Sequence, residues 1–178
     1  MNQAAGHEFQ VEPLGKQHDR AAFSCGEESL DHYLKTQAAQ DLRRKANAVF
    51  VMTRPADPAG IIGFFTLCAH TLPRGEVPEG ARRHVPRYPL VSATLIGRLA
   101  VARECQGQGI GAAMLARALR KAWQNAGVVG SSMVVVDTID ASAARFYEAH
   151  GFIRLVHSMR LILPMTTIAS LLDVGASE

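Results

Sequence analysis

Between Glu104 and Leu115 the chain reads ECQGQGIGAAML, with Gly107, Gly109 and Gly111 on alternate positions where an apolar run gives way to an alanine-rich stretch. Glycines this dense at the mouth of a helix predict a tight turn between a strand and a helix. The strand is SATLIGRLAVA (92–102), the helix is GIGAAMLARALRKAWQNAG (109–127), and SSMVVVD (131–137) follows as a short, nearly all-apolar strand of the buried kind. Together they form a β-α-β unit. Such a turn exposes unpaired N–H groups at the positive end of the helix dipole, so it can cradle phosphate without a side-chain cation. The plainer alternative is that the glycines only shape the turn and let helix and strand pack.

The segments around this unit set the fold class. EFQVEPL (8–14) alternates loosely and reads as an edge strand stopping at Pro13. EESLDHYLKTQAAQDLRRKA places Leu30, Leu34, Ala38 and Leu42 at four-residue steps, which predicts an amphipathic helix or a broken pair. AVFVMTR and IIGFFTLCAHTL are strand-like runs joined by the turn PADPAG, so a hairpin is expected. LPRGEVPEGARRHVPRYPL is proline-rich and reads as a charged surface loop. DASAARFYEAHG is a second helix capped by Asp140 and stopped at Gly151, FIRLVHSMRLILPM holds one or two strands, and TTIASLLDVGASE an apolar turn before a frayed tail. Antiparallel hairpins followed by β-α-β predict an α+β fold with a mixed sheet and helices on its faces.

Composition narrows the function classes. A chain of 178 residues with 48% hydrophobic content suits a single domain, 1–178. Cys25, Cys68 and Cys105 are odd in number and widely spaced, so neither a disulfide framework nor a metal knuckle is expected, and a reducing compartment is. MNQAAGHEFQ lacks the pattern of a leader and the longest apolar run is too short for a bilayer, which points to the cytoplasm and away from membranes. The net charge of +3 permits a polyanionic partner without demonstrating one. The local knots Arg43-Arg44-Lys45, Arg82-Arg83-His84 and Arg87 are either solvated faces or binding patches.

Two phosphate-binding schemes compete for the glycines. Gly107, Gly109 and Ala112 satisfy a loose dinucleotide fingerprint, with Asp137 ending the next strand as a ribose-holding acid. That scheme fails because Arg103-Glu104-Cys105-Gln106 separates strand from glycine and antiparallel strands come first. A Walker-type loop fails because no G-K-[ST] follows. The remaining scheme is Q-G-Q-G-I-G, a Q/R-x-x-G-x-G/A turn after the strand IGRLAVA.

At these residues the chain resembles the GNAT superfamily of acyl-CoA N-acetyltransferases, from about Phe9 to Met165. The resemblance implies a splayed strand pair, with Leu99, Ala100 and Val101 contacting the pantetheine arm of acetyl-CoA and Gln106, Gly107, Gln108, Gly109, Ile110, Gly111 and Ala112 holding its pyrophosphate. ASAARFYEAHGF is similar to the family's A-x-x-[FL]-Y-x-x-x-G-F segment. It makes Tyr147 the expected general acid, since a phenol of pKa about 10 is a competent donor to a departing thiolate of pKa about 8.5. Phe146 and Phe152 read as core. A main-chain N–H near Val101 would hold the charge that develops on the carbonyl oxygen.

Neither SATLIGRLAVA nor SSMVVVD offers a glutamate as base, so an α-amine of pKa about 7.7–8.0, already partly neutral, suits the site better than a lysine at about 10.4. His84 or Asp137 acting through a water is the alternative. FSCGEESLDHYLKTQAAQDLRRKANAVFV, VPRYPLVSATLIGRLAV, VDTIDASAARFYEAHGF and LILPM together look like the GNAT branch of toxins in type II toxin-antitoxin pairs, which acetylate the α-amine of aminoacyl-tRNA; Ala102 departs from the branch's usual aspartate. The resemblance implies a ribbon-helix-helix antitoxin, a homodimer, and tRNA phosphates held by Arg43, Arg44, Lys45, Arg87 and Arg98. No metal is expected. A GNAT enzyme for a small amine or a protein N-terminus, and a CoA-binding module without turnover, are the rival readings.

Overall fold

In a computed structural model of the chain the described residues are 8–173. The strands are β1 (Gln10–Pro13), β2 (Ala48–Thr53), β3 (Gly63–Pro73), β4 (Leu90–Val101), β5 (Met133–Asp137), β6 (Ile153–Arg154) and β7 (Arg160–Pro164), hydrogen-bonded in the order β1-β2-β3-β4-β5-β7-β6. The helices are α1 (Glu28–Thr36), α2 (Ala38–Arg43), α3 (Ile110–Ala126), α4 (Ala141–Ala149) and α5 (Met165–Asp173). The sheet is mixed: β4 and β5 are parallel, while β1–β2, β5–β7 and β6–β7 are antiparallel. This is the α+β class expected.

The chain divides into two compact units: residues 8–66 with Arg98–Arg117, and Leu67–Gly97 with residues 118–173. In the first, β1 pairs with β2 from Gln10↔Thr53 to Pro13↔Phe50. The helical segment is indeed broken, at Gln37, whose φ of −119° departs from helical values. Its apolar face is carried by Leu34 and Ala38, both fully buried, and by Tyr33. Phe64 at the start of β3 takes the edge of Phe23 at 5.5 Å and stacks with Tyr33 at 6.3 Å. Side chains of this size each contribute about 1.5–3 kcal/mol on burial, so this cluster fixes α1 against the strand. The hairpin turn closes as expected, with the Asp57 carboxylate accepting from the Gly60 N–H at 3.2 Å.

In the second unit the proline-rich segment differs from a plain surface loop. It forms two short 3-10 turns, Arg74–Glu76 and Glu79–His84, and buries Val77, Ala81 and Val85 against Leu72, Val91, Ala93, Met133, Val135, Leu155 and Ile162. Prolines stop long helices but leave short turns whose inward positions can be apolar, and here Val77, Ala81 and Val85 recur at four-residue steps. The segment expected to hold an apolar turn before a frayed tail is helix α5, anchored by fully buried Ile168. Residues 174–178, where fraying was expected, lie outside the described residues. No described helix is long and apolar enough to cross a membrane.

Candidate active site

The turn after β4 is built from the main chain. Gly107 and Gly109 adopt φ of +76° and +78°, left-handed values that side chains resist, and the positions a Cβ would take at either are open space. Ala113 donates to the Gly109 carbonyl at 3.2 Å, but among the described residues no acceptor takes the N–H of Gly107, Gln108, Gly109, Ile110, Gly111 or Ala112. Six consecutive donors thus crown a 17-residue helix whose first turn carries no acid. Donors and dipole together fit a diphosphate. Ile110, 2% exposed, anchors the helix start in the core beneath them.

Gln106 works differently from its neighbours. Its side-chain amide donates to the carbonyls of Cys25 (2.7 Å) and Val101 (3.0 Å), bracing the turn against the end of β4 and the loop before α1. Arg103 N–H adds a bond to the Ser24 carbonyl at 2.8 Å. Asp31 of α1 holds that loop by accepting from Cys25 N–H at 2.8 Å and the Ser24 hydroxyl at 3.3 Å. Partial burial opposes ionisation of Asp31, yet these bonds and Lys35 hold its carboxyl below the usual range. Burial pushes the Cys25 thiol up to about 11, so it is no nucleophile near neutral pH.

Leu99 and Val101 are half-buried and Ala100 is buried. The β4–β5 ladder ends at Ile96↔Val136, and β4 continues through these residues without a β5 partner. Arg43, Arg44 and Lys45 are exposed at the end of α2, Lys45 with a left-handed φ of +57°, and none meets a described carboxylate. Arg98 lies over the Tyr33 ring, Cζ 3.5 Å from its centre. Arg87, in the second unit, is exposed.

Tyr147 belongs to the second unit. The Asp140 carboxylate caps α4 by accepting from Ala143 N–H at 2.8 Å, and Gly151, at φ +93°, ends it. The phenol ring sits edge-on between Phe146 (5.1 Å) and Phe152 (5.2 Å) and is 8% exposed. Phe152 is buried as expected, whereas Phe146 is half-buried. Among the described residues the Tyr147 hydroxyl has no hydrogen-bond partner. Burial raises its pKa well above the ordinary phenol value, which keeps it a neutral proton donor.

The two candidate bases are spoken for. Asp137 accepts two bonds from the Arg160 guanidinium, at 2.7 and 2.9 Å, and Arg160 holds its carboxyl below the usual range despite partial burial. A carboxylate so held is a poor proton acceptor. His84 is bonded to Thr166 Oγ1 at 3.1 Å through Nδ1 and accepts from Arg83 at Nε2. Arg160 carries no local signal in the sequence, because only the register Asp137↔Arg160 brings the pair together. No group of three or more metal-ligating side chains occurs among the described residues.

A mixed sheet whose parallel pair parts beyond Ile96, a donor-rich glycine turn and a buried phenol define an acyltransferase class. The chain belongs to the acetyltransferase (GNAT) domain family, whose model matches residues 45–154. It is 29% identical over 171 residues to "Probable toxin TacT" of Sinorhizobium fredii, covering 91% of this chain and 94% of the relative. It is 31% identical over 134 residues to a tRNA-acetylating toxin of Mycobacterium tuberculosis, covering 75% and 78%. Among solved structures, AtaT complexed with acetyl-methionyl-tRNAfMet matches with a TM-score of 0.84 at 29% identity, covering 93% of this chain and 99% of that one. AtaTR bound with acetyl-CoA matches at 0.80 and 30%, covering 92% and 98%.

Proposed function

We propose that this chain is a single-domain toxin that transfers acetyl from acetyl-CoA to the α-amine of aminoacyl-tRNA, so blocking translation, and that a cognate antitoxin restrains it. The observation that carries the reading is the turn of six unpartnered main-chain donors with two left-handed glycines. In it Gln106 is a brace, and the amides from Gly107 to Ala112 grip the cofactor's diphosphate. The free edge of β4 at Leu99, Ala100 and Val101 aligns the pantetheine arm, and a main-chain N–H near Val101 stabilises charge on the acyl oxygen. Acetyl-CoA supplies the activated acyl group as a thioester. Tyr147 delivers the proton that the departing sulfur needs.

The acceptor half rests on the likeness to AtaT, complexed with acetyl-methionyl-tRNAfMet, and to a tRNA-acetylating toxin. Asp137, tied to Arg160, leaves no evident base, which favours an acceptor amine already partly neutral at pH 7. Arg43, Arg44, Lys45, Arg87 and Arg98 supply the attraction for phosphates. AtaT bound to the C-terminus of AtaR supports an antitoxin partner; a ribbon-helix-helix type and a homodimeric toxin complete the proposal, with the cytoplasm as its place of action.

Incubation with labelled acetyl-CoA and a bulk aminoacyl-tRNA pool tests it. Label recovered on the aminoacyl nitrogen is the expected result. Label only on small amines or protein N-termini would overturn the acceptor assignment, and cofactor binding without turnover would reduce the chain to a binding module.

A further inference from the structure

Among the described residues the Arg98 side chain makes no hydrogen bond or ion pair and keeps its full set of donors. Its guanidinium lies 3.5 Å from the centre of the Tyr33 ring. Tyr33 cannot move aside: it is 3% exposed, its hydroxyl donates to Asp41 at 2.9 Å, and its ring stacks on Phe64 within 16° of parallel. Asp41 is fixed in turn by Asn47, which donates to it at 3.0 Å. Phe64 lies near-parallel to Tyr33 and takes the edge of Phe23, so the ring under the guanidinium is rooted in the core. Among the described residues Arg98 donates no hydrogen bond and meets no carboxylate, and it keeps partial solvent exposure.

A planar cation held 3.5 Å over a fixed ring is pre-positioned, so less rotamer freedom is lost when a ligand binds. The face turned away from Tyr33 is apolar and electron-poor, and the edge carries donors. This combination stacks a nucleobase and bonds its flanking phosphate or ribose, as single-stranded RNA ends are recognised. Asp41, which holds the Tyr33 hydroxyl, belongs to α2, the helix that ends in the basic knot Arg43-Arg44-Lys45.

Resting on the acceptor reading above, we infer that Arg98 stacks the 3′-terminal adenine of the tRNA acceptor strand on the guanidinium face turned away from Tyr33. The plane of the guanidinium, and not its charge alone, makes the contact. Acetyl-CoA also carries an adenine, and the experiment separates the two sources.

The probe is an aminoacyl-tRNA whose terminal adenine is replaced by fluorescent 2-aminopurine, titrated with the full chain. Wild type quenches the probe. Arg98→Lys, which keeps the charge and loses the plane, abolishes the quench and raises KM for aminoacyl-tRNA about tenfold, with acetyl-CoA affinity unchanged as the check on folding. Arg98→Gln gives the same loss. If Arg98→Lys matches wild type while Arg98→Gln does not, the residue is a point-charge phosphate contact and the stack is overturned. If the variants instead lose acetyl-CoA affinity, the cofactor's adenine is the guest and the inference is likewise overturned. Acetylation of the tRNA by wild type without any quench removes this inference alone. Failure of wild type to acetylate any aminoacyl-tRNA, with acetyl-CoA still bound, removes the acceptor reading together with it.

Discussion

The turn after β4 and helix α4 represent opposite ways of building function. In the turn the side chains are missing: Gly107 and Gly109 hold left-handed backbone and leave open space, so the surface offered to a ligand is the N–H row itself. In α4 the proposal rests on one side chain, a phenol wedged between two aromatic rings and almost removed from water. The turn is damaged by adding atoms and the helix by removing one. Binding and turnover should therefore be separable by mutation, as differential stabilisation of bound state and transition state requires.

The largest effect tests the turn. Gly109→Val places a β-branched residue at φ +78° and fills the approach to the amides, so acetyl-CoA binding falls at least about 100-fold by calorimetry. Retained affinity would break the comparison at its first half. Tyr147→Phe tests the second: kcat drops about 10²–10³-fold while the acetyl-CoA Kd stays within about twofold. An equal loss of both would deny the phenol its role as acid.

The pH profile sharpens the same contrast. Burial keeps the Tyr147 phenol neutral in the fold, whereas it ionises near pH 10 once unfolded. Its contribution to stability is present below about pH 10 and lost as pH rises beyond. The wild-type rate should show no alkaline limb owed to this phenol below about pH 10; a limb near pH 8–9 tracked spectroscopically to tyrosinate would refute the buried acid.

Smaller effects come from the supports. Gln106→Ala removes two bonds to main-chain carbonyls and should weaken acetyl-CoA binding about five- to tenfold without touching kcat at saturation, because it loosens the donors and leaves the acid alone. Asp140→Ala deletes the α4 cap, lowering stability by about 1 kcal/mol in denaturant unfolding with the cofactor Kd unchanged. A change in cofactor affinity from the cap, or in saturated rate from the brace, would show that the two regions are not independent.

The same contrast explains what could be read from residues alone. Glycine spacing announced the turn because only glycine tolerates that backbone, and Asp140, Tyr147 and Gly151 announced α4 because cap, phenol and stop fall in one helical segment. The break at Gln37 was one of two readings the helical spacing allowed, while the buried Val77, Ala81 and Val85 were harder, since they depend on packing against distant strands. Least visible were the pairs that only register creates. Nothing in the spacing of Asp137 and Arg160 joins them, and nothing local puts Arg98 over Tyr33. Gln106 was legible as part of the motif, but its brace depends on Cys25, 81 positions away.

The two ends of the sheet are blunt. β6 has two residues, and β1 has four and closes on Pro13, which lacks an N–H. Neither margin offers a long row of main-chain groups for a foreign strand to copy. A foreign strand that pairs main chain to main chain therefore finds little purchase at either margin, and crowded copies have little template there for fibril growth.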